Sequence, residues 1–454
     1  MGMHRGASQP IRLLAHLGLS LTCASTCACA SARSPGPPDV LIVALDTIRW
    51  DHTDLAAPPS GITPNLSAFA NLPGSVTFSQ AYTDAAWSQP AYVSLLTGQR
   101  ALTHGVGFLR SALIDGQATV ATMFQAHGYE TRAFASGPHL APISGIASDF
   151  DAYIHSIDQR TIGIQVGPAL EWLQQPRTAD QPRFGFIHGY DAHAPYGAPA
   201  ALSDPLQPGG VPLQNNCMVP GFRCHPPGVM ANTGPALAPE EQAQLVGAYQ
   251  ASVLYADHHL GRILHTLETT GALEHTIVIV LSDHGEMLGE SGGLGHDDGY
   301  ADHVFHVPLV VRFPSDAAPR TVDRVVSLSD ITPTLARRLD MVPPSRADGV
   351  VIGELLSPAE PSQTQPHRGA SLCCYYVRDN NDAGWVQHGT EPLTWNLLSS
   401  TSDARTTERR LQTALGDWPS VLEKVDEVNH EMGHRDPALK RALQDAGYWR
   451  QATP

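Results

Sequence analysis

Beyond its first thirty residues the sequence has no apolar run long enough to cross a bilayer as a helix, so no transmembrane segment is expected. Basic residues are scarce. Twenty-eight Lys and Arg stand against 44 Asp and Glu, a net charge of −16. A chain this acidic is a poor general binder of nucleic acid or of anionic lipid. It has no internal repeat, which sets aside solenoids and arrays. No group of cysteines and histidines has the spacing of a structural zinc site: His225 follows Cys224, but nothing completes a set. Charged residues make up only 16% of the chain and apolar residues 42%, so a large core can be filled and global disorder is not expected. If the substrate is an anion, local positive charge has to come from a metal ion or a helix terminus. The 22 histidines fit that idea.

The 454 residues correspond to two or three domains, or to one large α/β domain and a small one. Residues 1–32 read as an export signal. Arg5 and Arg12 give a basic start, Leu13 to Leu21 a short apolar run, and Ala28-Cys29-Ala30 and Ala30-Ser31-Ala32 small-x-small cleavage sites. Cleavage and release to the periplasm or medium is the expectation. Lipid anchoring through Cys23, Cys27 or Cys29 is the alternative, although none sits in a good lipoprotein context. Cys217 and Cys224 share a Pro/Gly-rich loop and are close enough to form a disulfide in an oxidising compartment. The state of the adjacent Cys373 and Cys374 stays open.

Unbroken apolar runs mark buried strands at Asp39–Leu45, Phe184–His188 and Ile277–Leu281, with further strands at Val76–Ala81, Thr131–Ala135 and Val307–Phe313. Helices are expected at 63–69, 88–98, 120–127, 163–174, 239–269 and 330–339. Residues 197–236 form a Pro/Gly-rich loop long enough to wall a site. Strands alternating with helices over 39–340 predict an α/β fold: a mostly parallel central sheet with helices on both faces. A polar, proline-bearing stretch at 357–367 divides this part, residues 33–356, from a smaller C-terminal α+β subdomain at 357–454, with helical stretches at 405–414 and 437–448.

The chemistry sits at the strand ends, where open α/β sheets gather their ligands. The first strand runs into Asp46, another into Asp191 and His193, and a third into Asp283 and His284, followed by a glycine-spaced loop ending at His296. Ser88 opens a helix. Two aspartates and an imidazole suit one divalent cation such as Ca²⁺, Mn²⁺ or Zn²⁺. Such a cation offsets the two carboxylates, lowers the pKa of a bound hydroxyl and polarises a substrate oxygen. Ser88 also gains from the positive end of the helix dipole. Each residue has a plainer reading: Ser88 as a helix cap, Asp46 and Asp283 as turn or cap residues, His193 and His284 as structural, His296 as solvated. Their joint placement on one sheet edge favours a site.

These stretches, in order, resemble the sulfatase family of the alkaline phosphatase superfamily. The likeness covers about residues 39–355 and rests on Leu41 to Arg49, Thr63-Pro64-Asn65-Leu66, Ser94-Leu95-Leu96-Thr97-Gly98, Asp191-Ala192-His193-Ala194-Pro195-Tyr196, Ser282-Asp283-His284-Gly285-Glu286, Val307-Pro308-Leu309 and Asp330-Ile331-Thr332-Pro333-Thr334-Leu335. It implies a metal held by Asp46, Ser88, Asp283 and His284. It puts Ser88 at the nucleophile position, and His193 and His296 at positions that touch the sulfate or phosphate group and assist proton transfer. The expected substrate is an anionic ester of a small molecule, a glycan or a lipid head group.

Three departures stand out. Ser88-Gln89-Pro90-Ala91-Tyr92 has Tyr92 where the family's formylglycine motif has arginine, so conversion of Ser88 to formylglycine is not expected. Thr47 replaces the second aspartate of the usual pair. The usual lysine is missing around Ser136-Gly137-Pro138-His139. They leave two other readings open: a non-catalytic relative that keeps the fold as a binding module, and a transferase of envelope phospho-groups.

Overall fold

The computed structural model describes residues 36–413, apart from short stretches, of which the longest are 207–221, 225–236, 358–365 and 388–395. The expected signal segment, Cys217, Cys373 and the stretch 437–448 lie outside the described residues. Among the described residues no helix is long and apolar enough to cross a membrane.

An eight-stranded sheet forms the centre. Its strands are β1 (Asp39–Leu45), β2 (Ser75–Tyr82), β3 (Glu130–Ser136), β4 (Ala152–Ser156), β5 (Arg183–Gly189), β6 (Thr276–Leu281), β7 (Leu309–Arg312) and β8 (Arg320–Ser327). In space they run β8-β2-β7-β6-β1-β5-β3-β4. All pairings are parallel except those of β7, which is antiparallel to both β2 and β6. The mostly parallel sheet is therefore present. β1 lies in the middle with all seven residues buried. That explains its unbroken apolar sequence, since both faces are covered.

One face packs under α2 (Ser88–Thr97), α3 (Val120–Ala126) and α6 (Ile331–Arg338), against Val40, Ile42, Ala44, Phe184, Phe186 and Ile279. The other packs under α1 (Pro64–Ala70), α4 (Ile162–Gln174) and α5 (Pro239–Thr269), against Leu41, Val43, Leu45, Ile187, Val278 and Val280. Alternate residues of the same strand thus fill opposite cores, and each large aliphatic side chain contributes roughly 1.5–3 kcal/mol by leaving water.

α2 carries Ser88 and has no polar face, because all ten of its residues are buried. Its N-cap is Trp87, so Ser88 is the first helical residue and its hydroxyl caps nothing. Pro90 fits the first turn, and Gly98 ends the helix in the left-handed region at φ 69°. The antiparallel sheet β9 (His367–Ala370), β10 (Cys374–Arg378), β11 (Ala383–Gln387) and β12 (Asn396–Ser399) supplies the strand part of the C-terminal region. Tyr376 stacks on Phe305 at 4.5 Å and donates a hydrogen bond to Asp302. Arg378 pairs with the same carboxylate at 3.0 Å and lies over Tyr82. The small sheet is thereby fastened to β2 and to the segment that follows the site loop.

Candidate active site

β1, β5 and β6 are parallel neighbours, so their carboxyl ends open on one rim. Asp46 leaves β1 there, its amide donating to Gly189 O at 2.8 Å. Thr47 then adopts φ 62°, a costly conformation for a β-branched residue. The turn is held by Tyr249 of α5, whose hydroxyl donates to Thr47 O at 2.8 Å and accepts from the Arg49 amide at 2.9 Å. In return the Thr47 amide donates to Asp283 Oδ1 at 3.0 Å, and the Thr47 hydroxyl donates to Asp46 Oδ1. The backbone and hydroxyl of Thr47 thus orient the two aspartates. Gly285, next to His284, has to be glycine, because a Cβ there would fall 1.9 Å from His303 O.

Asp46, Asp283 and His284 present ligand atoms all within 4.8 Å of one another, and all three side chains are buried. The hydrogen bonds fix which imidazole nitrogens face inward. His284 Nδ1 lies 2.9 Å from Gly285 O; a carbonyl only accepts, so Nδ1 carries the proton and Nε2 presents its lone pair. Burial pushes this imidazole down to about 4, which keeps it neutral as a ligand must be. Ser88 Oγ sits between the two strands' groups, donating to Asp46 Oδ2 at 3.1 Å and lying 3.2 Å from His284 Nε2.

His188, on β5, accepts the Ser136 amide at Nδ1, so its Nε2–H donates to Asp46 Oδ2 at 3.1 Å. Tyr92, one turn after Ser88, lies edge-on to His188 and beside Asp283. Burial, then the charges of Asp283 and Asp46, hold its hydroxyl protonated.

Around this floor, where Asp46, Ser88, Asp283 and His284 are each at most 1% exposed, stands a rim of slightly more open imidazoles: His139, His193 and His296 at 6–8%. His193 stacks on Tyr190 at 4.4 Å and donates from Nδ1 to Ala194 O at 2.7 Å. The His296 ring is 4.4 Å from that of His284 and 5.1 Å from that of His193. Burial pushes His139 down to about 3, helped by His296, His284 and His188.

The donor set fits a divalent cation. Two buried carboxylates face each other with no Lys or Arg paired to either among the described residues. Burial and the neighbouring Asp46 push the Asp283 carboxyl up, the response of an acid pair that lacks a counter-charge. One inward lone pair and one hydroxyl complete a mixed O/N set.

The family model described as Sulfatase matches residues 38–158 and 166–341. The chain belongs to the sulfatase family. The family is one of ester hydrolases. An ulvan-active sulfatase of Formosa agariphila is 24% identical over 90% of this sulfatase-family chain and 84% of its own length. Among solved structures, the phosphonate monoester hydrolase of Agrobacterium radiobacter shares the fold with a TM-score of 0.63 at 21% identity, covering 87% of this chain and 96% of that one. A Bacteroides thetaiotaomicron protein of glycosaminoglycan metabolism has a TM-score of 0.67 at 17% identity, covering 90% and 99%.

All six residues expected at the site meet on this sulfatase fold: Asp46, Ser88, Asp283 and His284 on the floor, His193 and His296 on the rim. His139, His188 and Glu286 were not anticipated from the sequence. His188 reads as the last residue of a buried strand, and only pairing of Ala44 with His188 across β1 and β5 sets its imidazole beside Asp46. His139 lies in the segment searched for a lysine. Removing the His188 donor leaves Asp46 less well oriented. His188→Ala should therefore weaken divalent cation binding by about 10- to 100-fold, as measured by competition with a fluorescent chelator; unchanged affinity would mean that His188 only fills space.

Proposed function

We propose that this chain is a cation-dependent hydrolase of anionic esters in which Ser88 is the nucleophile, with phosphate or phosphonate monoesters preferred over sulfate esters. The observation that carries the reading is Ser88 Oγ, buried at a helix start, 3.1 Å from Asp46 Oδ2 and 3.2 Å from His284 Nε2. Asp46, Asp283, His284 and Ser88 would hold the ion. When bound, a divalent cation offsets the carboxylates and lowers the pKa of the hydroxyl.

The remaining steps belong to the chain. Ser88 already donates to Asp46 Oδ2, so its proton has an acceptor as Oγ attacks. Ser88 opens α2, and the unpaired amides of a helix's first turn would favour the negative charge of the transferred group. His193 and His296, on the rim, hold its oxygens and protonate the leaving oxygen.

The preference for phosphorus follows from the nucleophile. A formylglycine hydrate carries two hydroxyls; one attacks sulfur, and ionisation of the other expels sulfate. Serine has no second hydroxyl, so a sulfo-serine has no such exit, whereas water can attack a phospho-serine at phosphorus. Tyr92 in place of arginine favours retention of plain serine. The fold neighbours named as phosphonate monoester hydrolases fit this reading, and those crystallised with sulfated sugars fit the sulfate alternative. Export, on the strength of residues 1–32, and a division near residue 357 are parts of the same proposal.

Steady-state kinetics of the purified protein on 4-nitrophenyl phosphate, phenylphosphonate and sulfate esters test it. The expected result is a kcat/KM for a phosphorus ester at least about tenfold above that for sulfate, a difference of about 1.4 kcal/mol at the transition state. Faster turnover of the aryl sulfate would overturn the preference.

A further inference from the structure

The rim contains a carboxylate that no expected site residue accounts for. Glu286 is fully buried, two residues beyond His284, and its Oε1 lies 3.0 Å from His296 Nδ1. Its backbone carbonyl accepts from Arg49 Nη1 at 3.1 Å, and Arg49 is itself locked by Asp51 and Glu290, so Glu286 stands on a fixed base. Tyr196 lies near the same carboxylate, and burial followed by the charge of Glu286 holds that phenol protonated. With a carboxylate oxygen as the acceptor, His296 Nδ1 is the donor of this hydrogen bond. The opposite edge of the ring is Nε2. His296 stands 4.4 Å from the ring of His284 and 5.1 Å from that of His193, at the more open side of the floor.

We propose that Glu286 is a positioning residue that acts through His296, fixing the ring and its Nδ1–H tautomer so that Nε2 meets the leaving oxygen. This rests on the hydrolase reading above. As the ester bond to phosphorus breaks, its electron pair passes to the leaving oxygen. His296, which takes a second proton at Nε2 from solvent before this step, gives that proton to the same oxygen, and the ring is left neutral with Nδ1–H still on Glu286.

A double-mutant cycle tests the coupling. Glu286→Ala, His296→Ala and the double variant are assayed on phenyl phosphate and on 2,4-dinitrophenyl phosphate, with metal content and melting temperature measured on each. Because the residues act as a unit, each single change should cost about 10²-fold in kcat on the phenyl ester, and the double change no more than His296→Ala alone. The losses should shrink on the dinitrophenyl ester, whose leaving group needs no proton, and metal content should stay at the wild-type level. Glu286→Gln keeps size and an acceptor for Nδ1–H, so it covers the case in which Glu286→Ala does not fold; it should fall between wild type and alanine on the phenyl ester.

Multiplicative losses in the double variant, or equal losses on both esters, would overturn the proposal. A readout independent of turnover is the ¹⁵N spectrum of histidine-labelled protein, with His296 assigned through its alanine variant. It should show the Nδ1–H form in the wild type and a shift toward Nε2–H in Glu286→Ala; an unchanged tautomer would overturn the positioning role. A wild type inactive on both esters would count against the hydrolase reading, and an active wild type with an uncoupled cycle against the role of Glu286 alone.

Discussion

Ser88→Ala should lower kcat on a phosphorus ester by at least about 10³-fold while the protein keeps its bound cation and its melting temperature stays within a few degrees of the wild type. The size of the effect follows from position. Ser88 Oγ is hydrogen-bonded to Asp46 Oδ2 from the start of a buried helix, and it also lies within 3.2 Å of His284 Nε2. Removing it deletes the attacking atom but leaves in place both carboxylates and the imidazole, the three groups that could hold an ion. The cost to folding is small. The hydroxyl caps nothing, and the Asp46 oxygen it vacates still accepts from His188 Nε2 at 3.1 Å. Turnover equal to the wild type would remove Ser88 as nucleophile. Loss of the metal together with activity would make Ser88 essential as a ligand and would count against the separate nucleophile role.

Removing the cation should stop turnover altogether and destabilise the protein, and Asp283→Ala should do the first without the second. In the metal-free protein Asp46 and Asp283 are buried side by side, and burial together with Asp46 raises the Asp283 carboxyl to about 6. A raised folded-state pKa for an acid means that the folded state holds its proton more tightly than the unfolded one. Apo stability therefore falls as pH rises from the ordinary carboxylate range toward 6, where that carboxyl must ionise beside its neighbour. Cation binding displaces the proton, so affinity should fall as pH drops below about 6, and calorimetry in two buffers should register proton release there. Asp283→Ala removes a ligand and the repulsion together. It should not bind metal, yet its apo form should melt at or above the temperature of chelated wild type. A chelated wild type that hydrolyses esters at full rate would contradict the metal role.

How much of this could be read from the chain depended on where each residue's constraint lies. β1 and β6 were legible because burial on both faces leaves unbroken apolar runs, and Asp46 and Asp283 were legible because they follow those runs directly. β4, Ala152–Ser156, was not, since every residue is half-buried and the sequence neither alternates nor runs apolar. β8, Arg320–Ser327, carries alternation only in its exposed half, on a sheet edge. Ser88 also reads as a helix cap because serine is a common one, and only the contacts of its hydroxyl with Asp46 and His284 show the other use. His188 and Glu286 matter through partners 142 and 10 residues away, so no local pattern marks them. Thr47 looked like a lost ligand; its backbone conformation, set by Tyr249 of α5, is what orients Asp283.

The most direct measurement is acid-quenched mass spectrometry of the protein during turnover of a phosphorus ester, with peptide mapping and the metal content of the same sample. The expected result is one divalent ion per chain, a serine side chain at residue 88 in the resting protein, and a phosphoryl group on that serine in the quenched sample. A formylglycine at residue 88, an adduct on another residue, or rapid turnover with no ion bound would contradict it.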